Sequence, residues 1–368
     1  MPSGGHSIPP VRLPDSVRPT VSVVVPCYNY GHFLPACVES ILSQEGVEVE
    51  VIIVDDASPD GSGEIVEKLA ATDDRIVAVR HERNQGHIAT YNDGFARATG
   101  DYNVMLSADD LLTPGSLSRS VALLEAMPNV GFVYGPCRQF CGEAPSMQET
   151  QAKSWLTWSG ADWIEARCRS GFNVIATSEV VMRASVMRQV GAYRPELPHS
   201  GDLELWMRAA TVSDVGFVVG PEQAWYRLHE ANMHKTMFDG GTANGQLVDL
   251  RERWAAFRML FENAVVPIPR SSELEAVVRR RLARQAFNTA SYAFARGFRH
   301  FPVSEFADLG VQIDPSVTRS GSARALSRRQ RVGMPPEWLA VHPLWAPRAA
   351  WSRLEGRART WRRGLVGV

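Results

Sequence analysis

Two pairs of adjacent aspartates are the residues of this sequence best suited to chemistry. Asp109-Asp110 and Asp55-Asp56 each follow directly on an apolar run. A buried carboxylate is costly unless it is hydrogen-bonded or binds a cation, and oxygen ligands suit divalent cations. An aspartate also makes a good helix N-cap, and Asp109-Asp110 taken alone is compatible with that reading. Two such pairs after two apolar runs favour one shared polar site.

Other side chains that suit nucleotide binding follow the same kind of run. Tyr28 and Asn29 come after the first run, and an aromatic ring can stack on a planar base. Asp56 can accept from a base N–H, while Asp109 and Asp110 can bind ribose hydroxyls and a cation. Neither a Gly-x-Gly-x-x-Gly nor a Gly-Lys-Ser/Thr turn follows the first run. We therefore expect a metal ion to neutralise the charge of a bound diphosphate.

The elements that must position these residues alternate between strand and helix. Continuous apolar runs predict buried parallel strands, and apolar residues at helical spacing predict the helices between them. We predict strands at 21–25, 49–54, 76–79 and 102–106, with helices at 32–44, 63–71 and 86–98. This order predicts an α/β fold with a doubly wound, mostly parallel sheet. Such sheets bind ligands at the carboxyl ends of their strands, where the aspartate pairs and Asn84 are expected.

The remainder of the chain has a less regular pattern. Residues 137–159 predict a loop over the site, and long helices rich in Arg and Ala are expected after residue 244. Residues 348–368 predict a basic amphipathic helix, a form suited to an anionic membrane surface, a partner groove or docking on its own protein. The predicted organisation is a flexible leader 1–19, an α/β domain 20–240, a helical extension 241–315, a linker 316–347 and a basic tail 348–368.

Composition excludes several classes of protein. The chain has 368 residues, a net charge of −1 and 21% charged residues, which argues against a general nucleic-acid binder. No apolar run reaches the roughly 18 residues of a membrane span, and the N-terminus lacks a secretory-signal pattern. Five cysteines without framework spacing predict reduced thiols and a cytoplasmic protein. Cys137 and Cys141 have no second Cys or His pair, so they do not predict a metal site.

Four motifs, in this order, resemble those of family 2 glycosyltransferases with the GT-A fold. They are Val-Val-Val-Pro-Cys-Tyr-Asn, Val-Asp-Asp-Ala-Ser-Pro-Asp-Gly-Ser, Asn-Gln-Gly and Leu-Ser-Ala-Asp-Asp. The resemblance covers about residues 20–232 and implies a nucleotide base pocket lined by Pro26, Tyr28, Asn29 and Asp56. It implies that Asp109 lies near the ribose, that Asp110 is the metal ligand and that Asn84 contacts the nucleotide sugar. Ser107 stands where the fuller motif carries a further aspartate.

Two downstream motifs extend the resemblance. Asp202 begins an amphipathic helix, where an aspartate is commonly an N-cap; the matching residue of the family is the general base of an inverting reaction. A helix N-terminus normally lowers the pKa of such a carboxyl group. In the Tyr-Arg-x-His segment, we expect Arg227 to neutralise charge on the leaving group. We expect His229 to complete the metal shell or to bind a phosphate, although a lone His is more often structural.

The function implied is transfer of a single sugar from a nucleotide-diphosphate donor to an acceptor hydroxyl, with inversion and with Mn²⁺ or Mg²⁺ as cofactor. The resemblance favours UDP as the nucleotide of the donor, and dTDP and GDP are alternatives. The acceptor can be a glycan, a lipid-linked molecule or a small molecule. A processive synthase is disfavoured, because Leu250 stands where the Gln of a Gln-x-x-Arg-Trp motif would be. The basic tail would bring a cytoplasmic enzyme to the inner face of a membrane.

The sequence leaves two alternative functions to consider. A sugar nucleotidyltransferase would need a Gly-rich first turn with a basic residue to hold a triphosphate, and the turn at residues 26–29 has neither. A non-catalytic sugar-nucleotide-binding protein is allowed by Ser107, but the acidic pair, Asp202 and His229 are all present. Assays of donor hydrolysis and transfer distinguish these functions.

Overall fold

The computed structural model describes residues 5–14, 16–147, 150–236 and 242–333. The chain divides into two compact units. The first contains the described residues up to Ile164 together with Asn173–His229. The second contains Glu165–Phe172 and the described residues from Glu230 onward. The predicted α/β domain, 20–240, therefore encloses a short segment that belongs to the other unit.

The first unit is built on a nine-stranded sheet. Its strands, in the order in which they lie across the sheet, are β1 (His6–Ile8), β9 (Ser154–Trp158), β11 (Asp214–Val219), β7 (Val130–Tyr134), β10 (Val181–Arg183), β5 (Tyr102–Met105), β2 (Thr20–Cys27), β3 (Glu48–Asp55) and β4 (Ile76–Arg80). All of these strands run in one direction except β9 and β10, which pair antiparallel with their neighbours. The predicted α/β fold with a mostly parallel sheet is confirmed.

The predicted strand–helix alternation accounts for the half of the sheet that carries the aspartate pairs. Its crossover helices are α1 (Leu34–Leu42), α2 (Ser62–Ala70) and α3 (His87–Arg97). The side chains of β2 and β3 are almost entirely buried, as their continuous apolar runs indicate. Helix α3 approaches the sheet closely at Gly94, where a Cβ atom would lie 2.3 Å from Val24 Cγ1.

Four further helices belong wholly or partly to this unit. They are α4 (Ser116–Ala126), α5 (Gly160–Ser170), α6 (Ala184–Val190) and α7 (Gly201–Ala210). Helix α7 is buried on nearly all sides. Its Glu204 carboxylate accepts from Arg208 Nη2 (2.9 Å) and from Arg194 Nε (3.0 Å), so the buried charges are paired. These bonds fix the position of the helix whose first turn contains the predicted base, Asp202.

A second, three-stranded sheet flanks the carboxyl edge of the first. It has the order β6 (Leu111–Leu112), β12 (Ala224–Arg227), β8 (Cys137–Phe140). The prediction of an irregular loop at residues 137–159 is therefore wrong at both ends, because β8 and β9 lie within it. Both are short, and pairing with distant strands, rather than a local pattern, holds them in extended form.

The predicted flexible leader also needs correction. Residues His6–Ile8 pair antiparallel with Trp155–Thr157 and form the edge strand β1. The Pro-, Ser- and Gly-rich composition of the leader gave no strand signal. The pairing is made by the open edge of β9, whose backbone groups are available for hydrogen bonding.

The second unit is helical. It contains α8 (Met233–Thr236), α9 (Ala243–Glu262), α10 (Ser271–Ala295), α11 (Val303–Ile313), a 3₁₀ helix (Pro315–Arg319) and α12 (Gly321–Val332). The linker predicted from residue 316 is corrected, since its first part is helical: Ser320 Oγ accepts from Ala323 N–H, and Leu326 is buried. The rest of that linker and the basic tail lie outside the described residues. Within the described parts of the chain, no helix has the length and apolar character needed to cross a bilayer.

Candidate active site

The first group of predicted residues lies where β2 ends. Pro26 is partly buried, whereas Tyr28 is 45% exposed, so its ring is accessible for stacking on a base. Asn29 has a left-handed backbone (φ 61°), and its N–H donates to Ser58 Oγ at 3.0 Å. This bond ties the end of β2 to the turn that follows β3.

Asp56 holds a neighbouring turn together. Its carboxylate accepts from Gln85 N–H (2.8 Å), from Gly86 N–H (2.9 Å) and from the His81 ring at Nδ1 (2.7 Å). Asn84 lies in the same turn, exposed, with Oδ1 accepting from Gly86 N–H at 3.1 Å. Asp56 is only 2% exposed, and these contacts hold the turn; the direct base contact of Asp56 stays a prediction.

Asp110 is fully buried. Its Oδ2 accepts from Ser178 Oγ at 2.5 Å and its Oδ1 from Arg227 N–H at 2.9 Å. Burial and the neighbouring charge of Asp109 raise the pKa of Asp110 well above its usual range. Arg227, the last residue of strand β12 in the small sheet, therefore bonds to this carboxylate through its backbone N–H.

Asp109, in contrast, faces a histidine. Its Oδ2 lies 2.9 Å from His229 Nε2, and the His229 side chain retains 19% exposure. The imidazole packs against the rings of Tyr30 and Phe33, with centroids at 5.4 and 5.0 Å. A carboxylate oxygen and an imidazole nitrogen are thus adjacent and oriented by the protein.

Arg227 organises the same corner. Its guanidinium carbon lies 5.0 Å from the Phe33 ring centroid and 4.5 Å from that of Phe140. Its Nε donates to the Asp109 carbonyl (2.9 Å) and its Nη1 to the Gly142 carbonyl (2.8 Å). These contacts hold the Asp109 backbone in place, and the neutralisation of a leaving group by Arg227 stays a prediction.

The contacts of the two aspartates favour a different division of roles from the predicted one, and the predicted assignment stays a prediction. Asp110, predicted to share a metal with His229, has its oxygens engaged by Ser178 and by backbone. Asp109, predicted to contact ribose, is the carboxylate beside His229. The physical reason is the small sheet, whose strand β12 covers Asp110 and carries the chain onward to His229.

Asp202 stands in the first turn of α7 and is held by three donors. Its Oδ2 accepts from Asn173 Nδ2 (2.8 Å) and Thr177 Oγ1 (3.2 Å), and its Oδ1 accepts from Leu203 N–H (2.7 Å). Burial raises the pKa of Asp202, while the N–H of Leu203, the hydroxyl of Thr177 and the charge of His199 lower it. The backbone N–H groups of the helix terminus therefore act in the expected direction, but burial outweighs them.

One segment joins the two acidic groups. Thr177 donates to Asp202, and the next residue, Ser178, donates to Asp110. Residues 173–179 lie outside the ends of the predicted strands, so apolar periodicity and motif spacing do not identify this segment. His81 is not among the predicted site residues either, although it follows strand β4 and reasoning from strand ends would identify it.

The residues present fit a divalent cation with few protein ligands. Asp109 and His229 would supply one carboxylate oxygen and one imidazole nitrogen, a mixed set that suits Mn²⁺. Among the described residues, no group of three or more His, Cys, Asp or Glu could hold a metal ion. The remaining coordination positions would therefore fall to diphosphate oxygens and water, which is common for Mg²⁺ at substrate phosphates.

Comparison with known proteins identifies the family of the chain. The Glycosyl transferase family 2 model matches residues 22–182. The putative glycosyltransferase EpsE of Bacillus subtilis is 41% identical over 218 residues, which cover 58% of this chain and 73% of EpsE. The chain belongs to glycosyl transferase family 2. The predicted family is confirmed, and with it the enzyme class to which the family belongs.

Other relatives are more distant or more partial. An uncharacterized glycosyltransferase of Nostoc is 26% identical over 58% of this chain. The glycosyltransferase GlyG of Streptococcus pneumoniae is 33% identical over 38% of it. The matches span 66% and 53% of the lengths of these two relatives.

Solved structures of glycosyltransferases share the fold. The mannosyltransferase PcManGT from Pyrobaculum calidifontis, in complex with GDP-Man and Mn²⁺, has a TM-score of 0.54 at 16% identity and covers 97% of this chain and 89% of its own. The S. aureus TarS fragment 1–349, in complex with UDP-GlcNAc, has a TM-score of 0.57 at 14% identity, covering 84% and 88%. These likenesses confirm the GT-A fold class.

Proposed function

We propose that this chain transfers a single sugar from a nucleotide-diphosphate donor to an acceptor hydroxyl with inversion at the anomeric carbon. The observation that carries the proposal is the joining of Asp202 and Asp110 through adjacent residues, Thr177 and Ser178. This link supports the proposal that the candidate base lies near the candidate cation site, because Asp109 is the neighbour of Asp110 in the sequence. Open α/β sheets bind ligands at the carboxyl ends of their strands.

Asp202 is the proposed general base. It accepts the proton of the acceptor hydroxyl, whose oxygen attacks the anomeric carbon on the face opposite the diphosphate. The carbon–oxygen bond to the diphosphate breaks as the new bond forms, so the configuration inverts. A pKa raised by burial suits this role, because proton transfer is most efficient when the base titrates nearer the operating pH.

Asp109 and His229 are the proposed ligands of the divalent cation, in place of the predicted pair Asp110 and His229. When bound, Mn²⁺ or Mg²⁺ would supply Lewis-acid neutralisation of the diphosphate. Tyr28 is the proposed stacking platform for the base, and Asn84 is a further proposed contact of the nucleotide sugar. That PcManGT was solved with GDP-Man and Mn²⁺, and TarS with UDP-GlcNAc, supports a nucleotide-sugar donor but does not select the base.

The base assignment is tested with Asp202→Asn. We expect this variant to lose at least about 100-fold in release of nucleoside diphosphate from the donor, because the carboxylate that accepts the proton is gone. It should keep the increase in Tm that a nucleotide sugar produces with Mn²⁺. Exposed Asp74→Asn is the matched control and should behave as the unmodified protein. Full activity of Asp202→Asn would refute the base assignment.

The cation assignment is tested with His229→Gln, measured by calorimetric titration of UDP, GDP and dTDP with and without Mn²⁺. We expect Mn²⁺-dependent affinity to fall by about tenfold or more, because one of two protein ligands is removed. Exposed His300→Gln is the control. Nucleotide affinity that is the same with Mn²⁺ and with a chelator would remove the metal from the proposal.

We also propose that the basic tail contacts an anionic membrane. In this proposal the protein is cytoplasmic and its acceptor is lipid-linked. The tail lies outside the described residues, but α12 before it exposes Arg324, Arg328 and Arg331 at helical spacing on one face. Deleting residues 348–368 is expected to reduce flotation with phosphatidylglycerol vesicles and not with phosphatidylcholine vesicles. Unchanged flotation after the deletion would contradict the proposal.

A further inference from the structure

The segment from Asn173 to Glu179 contains hydrogen-bond donors that the family motifs do not include. We propose that Asn173 and Thr177 are positioning residues that orient the Asp202 carboxylate so that its Oδ1 receives the acceptor proton. The inference rests on the proposed role of Asp202 as base. It adds which atom of the carboxylate reacts and which side chains determine that choice.

The hydrogen bonds distinguish the two oxygens of Asp202. Oδ2 accepts from both Asn173 Nδ2 (2.8 Å) and Thr177 Oγ1 (3.2 Å), so both of its lone pairs are engaged. Oδ1 accepts from Leu203 N–H (2.7 Å) and keeps a second lone pair. The proton of an acceptor hydroxyl therefore goes to Oδ1, while Oδ2 is held by the segment.

The backbone of Thr177 shows that this arrangement is imposed by its surroundings. Thr177 has φ of 87°, in the left-handed region that a β-branched residue rarely occupies. Such strain persists only where the surrounding structure enforces it, and it is concentrated at functional sites. At this φ the hydroxyl of Thr177 reaches Asp202 while the next residue, Ser178, reaches Asp110.

The rest of the segment is bonded so as to keep this backbone in place. Asn173 Oδ1 accepts from Ile175 N–H (3.1 Å), which leaves its Nδ2 directed at Asp202. Glu179 Oε1 accepts from Ala176 N–H at 2.7 Å, and Thr177 carbonyl accepts from Val180 N–H at 3.0 Å. The turn is therefore closed on both sides of Thr177 by its own residues.

The decisive variants separate the hydroxyl of Thr177 from its backbone. Thr177→Val removes the hydroxyl but keeps the β-branched shape, whereas Thr177→Ser keeps the hydroxyl. We expect Thr177→Val to lower kcat for release of nucleoside diphosphate about tenfold, with the donor KM within twofold of the unmodified protein. Its acidic limb of kcat/KM should move to higher pH, because a donor that favours the ionised carboxylate is lost. Thr177→Ser should keep the kcat and the pH profile of the unmodified protein.

Two further variants keep the inference testable if Thr177→Val folds poorly. Thr177→Gly relieves the backbone strain and removes the hydroxyl, so it should retain the Tm and still lose activity. Asn173→Ala should shift the pH profile in the same direction as Thr177→Val. If Asp202→Asn is inactive while the Thr177 and Asn173 variants keep the normal kcat and pH profile, the positioning role is refuted and the base survives. If Asp202→Asn is active, the base assignment and the positioning role both fail.

Discussion

At the scale of single residues, adjacent carboxylates differ because their surroundings differ. Asp110 is enclosed and bonded to Ser178 and a backbone N–H, while Asp109 next to it faces the imidazole of His229. Buried polar groups that are fully hydrogen-bonded define the local structure. Of the groups proposed to bind a cation or a proton, His229 and Asp202 are partly exposed, whereas Asp109 is 5% exposed.

Glu179 provides a residue-scale prediction. It is 4% exposed, its Oε2 has no hydrogen-bond partner within the described structure, and burial raises its pKa from 4.5 to about 7. The charges of Asp202 and Asp110 lie near it. Because the folded state binds this proton more tightly than the unfolded state, the contribution of Glu179 to stability is fully present below pH 4.5 and is lost as pH rises through about 7.

Glu179→Gln keeps an oxygen for Ala176 N–H and removes the titration. We expect the variant to match the unmodified protein near pH 4.5 and to exceed its free energy of unfolding at pH 8 by up to about 3 kcal/mol. Urea unfolding of both proteins across this range gives the difference, in which the other carboxylates cancel. A difference that does not change with pH would contradict the prediction.

At the scale of elements, the contact between α3 and the sheet is close enough to exclude a methyl group. A Cβ at Gly94 would lie 2.3 Å from Val24 Cγ1 and 3.3 Å from Val54 Cγ2, in a cluster of buried side chains. Gly94→Ala is expected to reduce the free energy of unfolding by about 1–3 kcal/mol, despite the better helix propensity of alanine. Chemical unfolding measures the loss.

The matched control is Gly321→Ala in the first turn of α12. At Gly321 nothing lies within 4 Å of an added Cβ, so this change should be neutral or slightly stabilising. Equal effects at the two positions would mean that helix propensity, and not the contact between α3 and Val24, determines the outcome.

At the scale of the whole molecule, the chain cannot be divided at a single point. The segment Glu165–Phe172 belongs to the helical unit. Arg253, 3% exposed, donates to the Gly171 carbonyl and lies 4.4 Å from the Phe172 ring, and Arg281 Nε donates to the Ser170 carbonyl at 3.1 Å. The helical unit therefore needs residues from the middle of the sequence.

A chain ended at Thr236, near the predicted boundary at 240, would lose α9–α12 and leave this segment without its partners. We expect such a chain to aggregate or to unfold at a markedly lower Tm than the full chain, because the Ser170 and Gly171 carbonyls and the Phe172 ring lose their contacts with Arg253 and Arg281. Thermal unfolding and size-exclusion chromatography check this. A monomer with the Tm of the full chain would show that the segment does not depend on these helices.

Much of the site could be predicted from local features. The ends of β2 and β3, the Asp109-Asp110 pair and the start of α7 lie where apolar periodicity and motif spacing placed them. The segment 173–179 could not be predicted in this way, because it has no regular period and acts through side chains distant in sequence. The predictions of a linker from residue 316 and of a flexible leader were wrong for a related reason. Amino-acid composition does not reveal a helix cap at Ser320 or the pairing of residues 6–8 with the edge of a sheet.

The sequence by itself determined the strand–helix order, the family motifs and the presence of carboxylates at one sheet edge, because these depend on residue type and short-range spacing. The tertiary structure decided which carboxylate is enclosed and which faces a histidine. The bonds that decide it join residues 68 and 117 positions apart, Ser178 and Arg227 to Asp110. Contacts of that separation form only when β10 and β12 have packed, so no local pattern encodes them.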